Sequence, residues 1–248
     1  MSALLLAFIL SSAANAGPVS LKPTAPSNPK DEFVRANSAY EAGKFADALA
    51  AWEGLYARGL SGASLCYNIG CAHYRLGRRG HAILWFERAR SLAPRDEDIR
   101  FNLSLARSHL PDETVPPWET FDRVLSPGEL SVLVAILLAF LLGAAGFGAL
   151  TGRDSGKLKP WLAGAAVALV VLGAWLALRA RDLASPQGFV VAAAAEVRSG
   201  PGEEYTAGFT VPEGRRALLL NSRNGWVEIG VPGQGLKGWV REEAVRKI

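Results

Sequence analysis

The sequence predicts a multidomain protein: an all-α solenoid of helical hairpins, then a two-helix transmembrane hairpin, then a small all-β barrel. Three observations carry this reading. Between residues 31 and 110 a pattern of small and aromatic residues returns after 34 positions, as from Ala36 to Gly70; two long uncharged runs follow; and beyond Pro186 the apolar residues alternate with period two between glycines. A repeat of that length is one pair of antiparallel helices, an uncharged run of about 20 residues matches a bilayer, and period two belongs to strands.

The chain opens with an apolar stretch, Leu4 to Leu10, followed by Ala14-Asn15-Ala16. This is the core and small-x-small site of a signal peptide, so residues 1–16 are expected to be removed after Ala16, although no Lys or Arg precedes the apolar core. The stretch is too short to span a hydrocarbon core of roughly 30 Å. Residues 17–30, with Pro18, Pro23, Pro26 and Pro29, read as an extended linker.

Within residues 31–110 four positions repeat in register: Ala36, Gly43, Ala48 and Trp52 answer to Gly70, Gly77, Ala82 and Phe86, and Ala89 and Pro94 complete the pattern in the second unit alone. Small residues at Ala36, Gly70, Ala48 and Ala82 let two helices approach closely, the glycines allow the turn, and the aromatics fill the remaining space. Pro94 ends the second helix. The first unit is less regular, with Leu55 where a small residue is expected. Asp98 to Ala106 starts a third unit and reads as a terminal covering helix.

Residues 111–129 form a proline-rich connector whose Trp118 and Phe121 suit a membrane interface. Residues 130–150 and 161–178 are uncharged and long enough to span. The turn at 151–160 holds Arg153, Lys157 and Lys159 against Asp154, which places it in the cytoplasm by the positive-inside rule. Arg179 and Arg181, in the linker 179–188, weigh against that orientation, whereas the signal peptide supports it. Ala144, Gly148, Gly173 and Ala177 are small enough to let the spans pack, or are simply common membrane-helix residues. Over residues 189–248, five or six short strands are too few for a sandwich, and a small closed barrel follows.

Charge excludes a nucleic-acid groove. Residues 17–129 carry 14 basic and 14 acidic side chains, the last 60 carry eight and seven, and the excess of five over two falls at 151–188, beside the apolar runs. Cys66 and Cys71 sit about 140° apart on one helix, which disfavours a disulfide. His73, His81 and His109 lack partners at ligand spacing, and Gly200-Pro201-Gly202 lacks the lysine and helix of a phosphate loop. No catalytic residue, metal or cofactor is expected, so the chain reads as non-enzymatic.

These repeats resemble tetratricopeptide repeats (TPRs). Val197-Arg198-Ser199-Gly200-Pro201-Gly202, followed by Gly225-Trp226 and Gly238-Trp239-Val240, resembles the bacterial SH3-like (SH3b) domain over residues 189–248. The whole order is similar to a component of the Bacteroides aerotolerance (Bat) operon family. Tyr67-Asn68-Ile69-Gly70, Tyr74-Arg75-Leu76-Gly77, Ala82 to Ala89 and Asp98 to Leu103 carry the local likeness. That resemblance implies an interaction component of the bacterial inner membrane, with both soluble domains periplasmic. The implied partners are von Willebrand factor A domain membrane proteins and a MoxR-type ATPase system.

Two binding surfaces are then expected. The TPR groove positions fall on Phe33, Asn37, Tyr40 and Glu41, then Tyr67, Cys71, Tyr74 and Arg75, then Phe101, with Phe33, Tyr67 and Phe101 in an aromatic column and Tyr40 above Tyr74. Either the column faces a partner, which is preferred, or part of it is inter-repeat core. On the SH3b domain, Arg198, Tyr205, Trp226 and Trp239 would offer a stacking surface to peptidoglycan or a peptide. The competing reading, preferred for both tryptophans, is that they fill the core of so small a barrel.

Overall fold

The computed structural model describes residues 28–108, 110, 126–151 and 159–248. The signal peptide, most of the 17–30 linker and 111–129 connector, His109 and the loop residues Arg153, Asp154 and Lys157 lie outside the described residues.

Five short helices come first: α1 (Pro29–Glu41), α2 (Phe45–Ala57), α3 (Ala63–Arg75), α4 (Arg79–Leu92) and α5 (Glu97–Arg107). Their starts keep the repeat period, with Asn28, Gly62 and Asp96 at the N-caps of α1, α3 and α5. Asn28 accepts from the Lys30 amide and Asp96 from those of Asp98 and Ile99, which satisfies donors that an uncapped helix end leaves open. Pro29 lies in the first turn of α1, where a missing amide proton costs nothing, so the helix reaches into the expected linker.

The turns inside the two hairpins are the same object made twice. Gly43 and Gly77 have φ of +78° and +76°. Their amides donate to Tyr40 and Tyr74, and the next amides, of Lys44 and Arg78, donate to Ala39 and His73. This is the Schellman closure, for which the left-handed residue is best a glycine. At the first crossing Ala36, Ala48 and Trp52 are buried, with Leu55 beside them; at the second, Gly70, Ala82, Phe86 and Ala89 are. A methyl at Gly70 would stand 2.7 Å from the Phe86 ring.

Two further helices, α6 (Pro127–Thr151) and α7 (Lys159–Ala184), pack against each other, and each is long and apolar enough to cross a membrane. Both outrun the apolar stretches read from sequence. Ser126 and Glu129 form a capping box, each side chain bonding the other's amide, and so start α6 inside the expected connector. Helix α7 continues through Arg179 and Arg181 because nothing breaks it before Ser185-Pro186.

Seven strands follow: β1 (Gln187–Val190), β2 (Ala194–Arg198), β3 (Ala207–Pro212), β4 (Arg216–Arg223), β5 (Trp226–Val231), β6 (Leu236–Arg241) and β7 (Val245–Lys247). They form one antiparallel sheet in the order β3-β2-β6-β5-β4-β1-β7. Ala195, Val197, Val227, Ile229 and Val240 point into its core. Pleating therefore turns Trp226 and Trp239 to the opposite face, where both are half-buried, so the expectation that they fill the core is corrected.

The sheet is not separate from the helices. Phe189 and Val191, flanking the end of β1, share a core with Ala82, Ile83 and Phe86 of α4 and Leu103 and Ala106 of α5. The Gly80 amide donates to Glu213 Oε2 at 3.2 Å, and Arg88 Nη2 donates to the Lys247 carbonyl at 2.7 Å. Glu87, 3% exposed, accepts from Arg90 at 2.7 Å and pairs with Arg107 of α5. Burial opposes its charge, but Arg107, Arg90 and Arg216 of β4 together hold its carboxyl below the usual range.

Candidate functional site

The first helix of each hairpin, with α5, presents the side chains expected of a binding groove. Phe33 lies against Trp52, with ring centroids 6.5 Å apart, and Tyr67 against Phe86 at 5.8 Å. Phe101, in contrast, is 66% exposed. The aromatic column is therefore divided: two rings are partly committed to the repeat core and the third is free to meet a partner.

Tyr40 packs edge-on to Phe45 at 5.0 Å and against Trp52 at 5.7 Å, while Tyr74 packs on the core that includes Phe86. The expected stacking of Tyr40 above Tyr74 gives way to contacts within each repeat. Arg75 covers the Phe45 ring at 4.8 Å from its centroid, and Glu41 is exposed. Between the helices runs a line of amides and hydroxyls. Asn68 Nδ2 donates to Asn37 Oδ1 at 3.2 Å, and Asn102 Nδ2 donates to the Tyr67 hydroxyl at 2.9 Å. Asn68 and Asn102 are 34 residues apart, the signal by which they could have been found beside Asn37.

Burial sets the ionisation of the groove's thiols and of Tyr67. Burial pushes the Cys71 thiol up to about 11, only partly offset by its hydrogen bond to Tyr67, and the Tyr67 hydroxyl is raised above its usual value for the same principal reason. Burial likewise raises Cys66. A thiol raised in this way carries little of the nucleophilic thiolate at neutral pH. Among the described residues no group of three or more His, Cys, Asp or Glu side chains is placed to hold a metal. Folding does bring together His73 and His81, which sequence spacing left scattered: their rings stack at 5.0 Å, and both ring nitrogens of the buried His73 lack hydrogen-bond partners.

On the outer face of the sheet Trp239 stands opposite Arg198 on one side and Glu228 on the other, and Arg241 lies over the Trp226 ring at 5.8 Å. Tyr205 is exposed and its ring covers Gly200. The four expected residues thus gather on one surface, but Arg198 is occupied: its guanidinium donates at 2.7 Å to the carbonyls of Glu203 and Tyr205 and holds that loop in shape.

Residues 63–96, which comprise α3, α4 and Pro94, match the family model described as tetratricopeptide repeat. The second hairpin is a tetratricopeptide repeat. No curated protein matches the chain. Two crystal structures of the type III secretion chaperone SycD of Yersinia enterocolitica align with it, one in complex with a peptide of the translocator YopD and one an alternative dimer. They share 12% and 10% identity and TM-scores of 0.32, covering 61% of this chain and 97% and 96% of those. Alignment at that level carries no argument about function.

Proposed function

We propose that this protein is a membrane-anchored scaffold of the BatE-like kind, holding protein partners in its TPR groove on the periplasmic side of a bacterial inner membrane. The observation that carries the scaffold reading is the groove itself: polar-tipped side chains recur at the repeat period beside an exposed Phe101, on a repeat of a type that binds proteins. Membrane anchoring is supported by α6 and α7, whose apolar windows are 6% and 0% buried and would otherwise face water over two full helices. The docking of β1 on α4 supports placing both soluble domains on one side, because a pair of spans returns the chain to the side it left. The Bat resemblance supplies the expected partners, von Willebrand factor A domain membrane proteins served by a MoxR-type ATPase, and a role in aerotolerance or stress. Crosslinking in intact membranes followed by identification of captured proteins tests this. Recovery of von Willebrand factor A domain proteins supports it, and recovery of wall hydrolases alone rejects it.

A second reading rests on the outer face of the sheet, which the SH3b resemblance makes a peptidoglycan site. Trp226 and Trp239, turned out of the core, favour it. Retention of the full chain on purified sacculi, lost in Trp226→Ala with Trp239→Ala, is its test.

A further inference from the structure

The repeat leaves one face of the first hairpin without the neighbour that the second hairpin has. On the second hairpin, His73 of α3 and Trp85 of α4 are buried beneath α2: Glu53 comes within 3.3 Å of the His73 ring, and the Tyr56 ring meets that of Trp85 edge-on at 4.7 Å. In the same places 34 residues earlier stand Ala39 and Ala51, and there the face between α1 and α2 is a hollow of about 510 Å³. Its size is that of a ligand cleft. Its floor is alanine and its walls are charged. Arg58 pairs with Glu32 at one end, Arg35 is exposed along α1, and Asp47 stands at the other end, exposed and without an ion pair among the described residues.

The register also says what can fill this hollow. Counting back 34 residues from α2 reaches residues 11–23, the stretch that would have to supply a preceding helix, and Pro18 in its middle removes a helix hydrogen bond and collides with the turn before it. The chain that enters α1 reads Lys22-Pro23-Thr24-Ala25-Pro26-Ser27, which suits an extended, polyproline-type path instead. The lengths match. From the N-cap Asn28 to Ala39, α1 rises about 16 Å at roughly 1.5 Å per residue, and the chain from Asn28 back to Lys22 covers about 19 Å at roughly 3.1 Å per residue. A segment folded back along α1 therefore brings Lys22 beside Asp47, in the first turn of α2. On the way it passes Arg35, whose guanidinium can donate to the carbonyls that a polyproline path leaves open. We propose that this end face binds an extended proline-rich segment, and that its occupant is the chain's own residues 22–27, with the Lys22 ammonium on the Asp47 carboxylate. Proline already fixes φ in the free segment, so ordering it costs little. Occupied in this way, the face by which copies could stack end to end is closed, and the groove stays open on a different face of α1.

The test uses the full chain in its membranes, with Cys66 and Cys71 kept and Thr24→Cys alone as the blank. Thr24→Cys is combined with Ala51→Cys in the hollow, or with Val34→Cys, exposed on the far side of α1. Mild oxidation is expected to link 24 to 51 within one copy about tenfold faster than 24 to 34, because docking raises the local concentration of one thiol at the other. Lys22→Glu should slow the link to 51 about threefold, and adding Asp47→Lys should restore it. Equal rates at 51 and 34 overturn the docking. A link from 24 to 51 that forms between copies, seen as a dimer on a non-reducing gel, gives the hollow to a second copy and overturns it too. A rate to 51 unmoved by either charge change overturns the pairing of Lys22 with Asp47.

Discussion

Gly80, in the first turn of α4, touches β1 backbone to backbone: a Cβ at that position would stand 2.6 Å from the Val190 carbonyl oxygen and 3.0 Å from the Val191 Cα. No side chain can yield there, so Gly80→Ala must push the sheet off the helix or bend one of them. A destabilisation of about 1 to 3 kcal/mol is expected, read as faster hydrogen exchange of β1 amides. Gly54→Ala, where the added methyl meets open space in the last turn of α2, should instead raise stability by about 0.5 to 1 kcal/mol. Similar effects at both sites would mean that the domains do not dock as described.

Repeat packing is tested at Ala82 and Ser91. Ala82 is fully buried at the crossing of α3 and α4, and Ala82→Leu should lower stability by about 1 to 3 kcal/mol. Ser91 is exposed, with its hydroxyl donating only to the Arg88 carbonyl one turn back, so Ser91→Leu should change the thermal midpoint little.

Partner binding and repeat stability separate within the aromatic column. Phe101→Ala removes an exposed ring and is expected to weaken partner capture about tenfold or more without moving the unfolding midpoint. Tyr40→Ala removes contacts to Phe45 and Trp52, and should lower stability as well as capture. Undiminished capture by Phe101→Ala would shift the search for the interface to the sheet.

His73 gives the module a pH dependence. Burial, the neighbouring His81 and Arg78 lower its pKa to about 3 from 6.5, and Glu53 Oε1, 3.3 Å away, lacks hydrogen-bond alignment with the ring. Below pH 6.5 the unfolded chain takes up a proton that the folded chain refuses. Stability is therefore intact above about pH 6.5 and falls as pH drops toward 3, by about 1 kcal/mol between pH 6.5 and 5.5. Denaturant unfolding at those two pH values should show the loss in the wild type and a smaller one in His73→Phe; an equal loss in both would assign it to other groups.

Topology follows from docking and the two spans. Reporter enzymes fused after Leu110 and after Ile248 are expected to be active on the same, periplasmic side. Activity on opposite faces would be incompatible with the contact between Gly80 and Glu213.

The elements that depend on local pattern were legible in the sequence. Gly43 and Gly77 mark identical turns because one backbone geometry needs a left-handed residue, and the uncharged runs mark α6 and α7 because membrane length is a count of residues. The groove residues could be placed on their helices by the 34-residue register. What each does there was decided only by packing: the same spacing leaves Phe101 exposed and seats Tyr67 on Phe86, because α3 has α4 as its hairpin partner and α5 has none among the described residues. The sheet's inner and outer faces followed from pleating, which turned Trp226 and Trp239 outward once Val227 and Val240 went in. The docking of the sheet on α4 had no signature in any local pattern. It joins Gly80 to Glu213 and Phe189 to Ile83 across more than 100 residues, and contacts that distant in sequence depend on shape complementarity between finished elements, which exists only once each has folded.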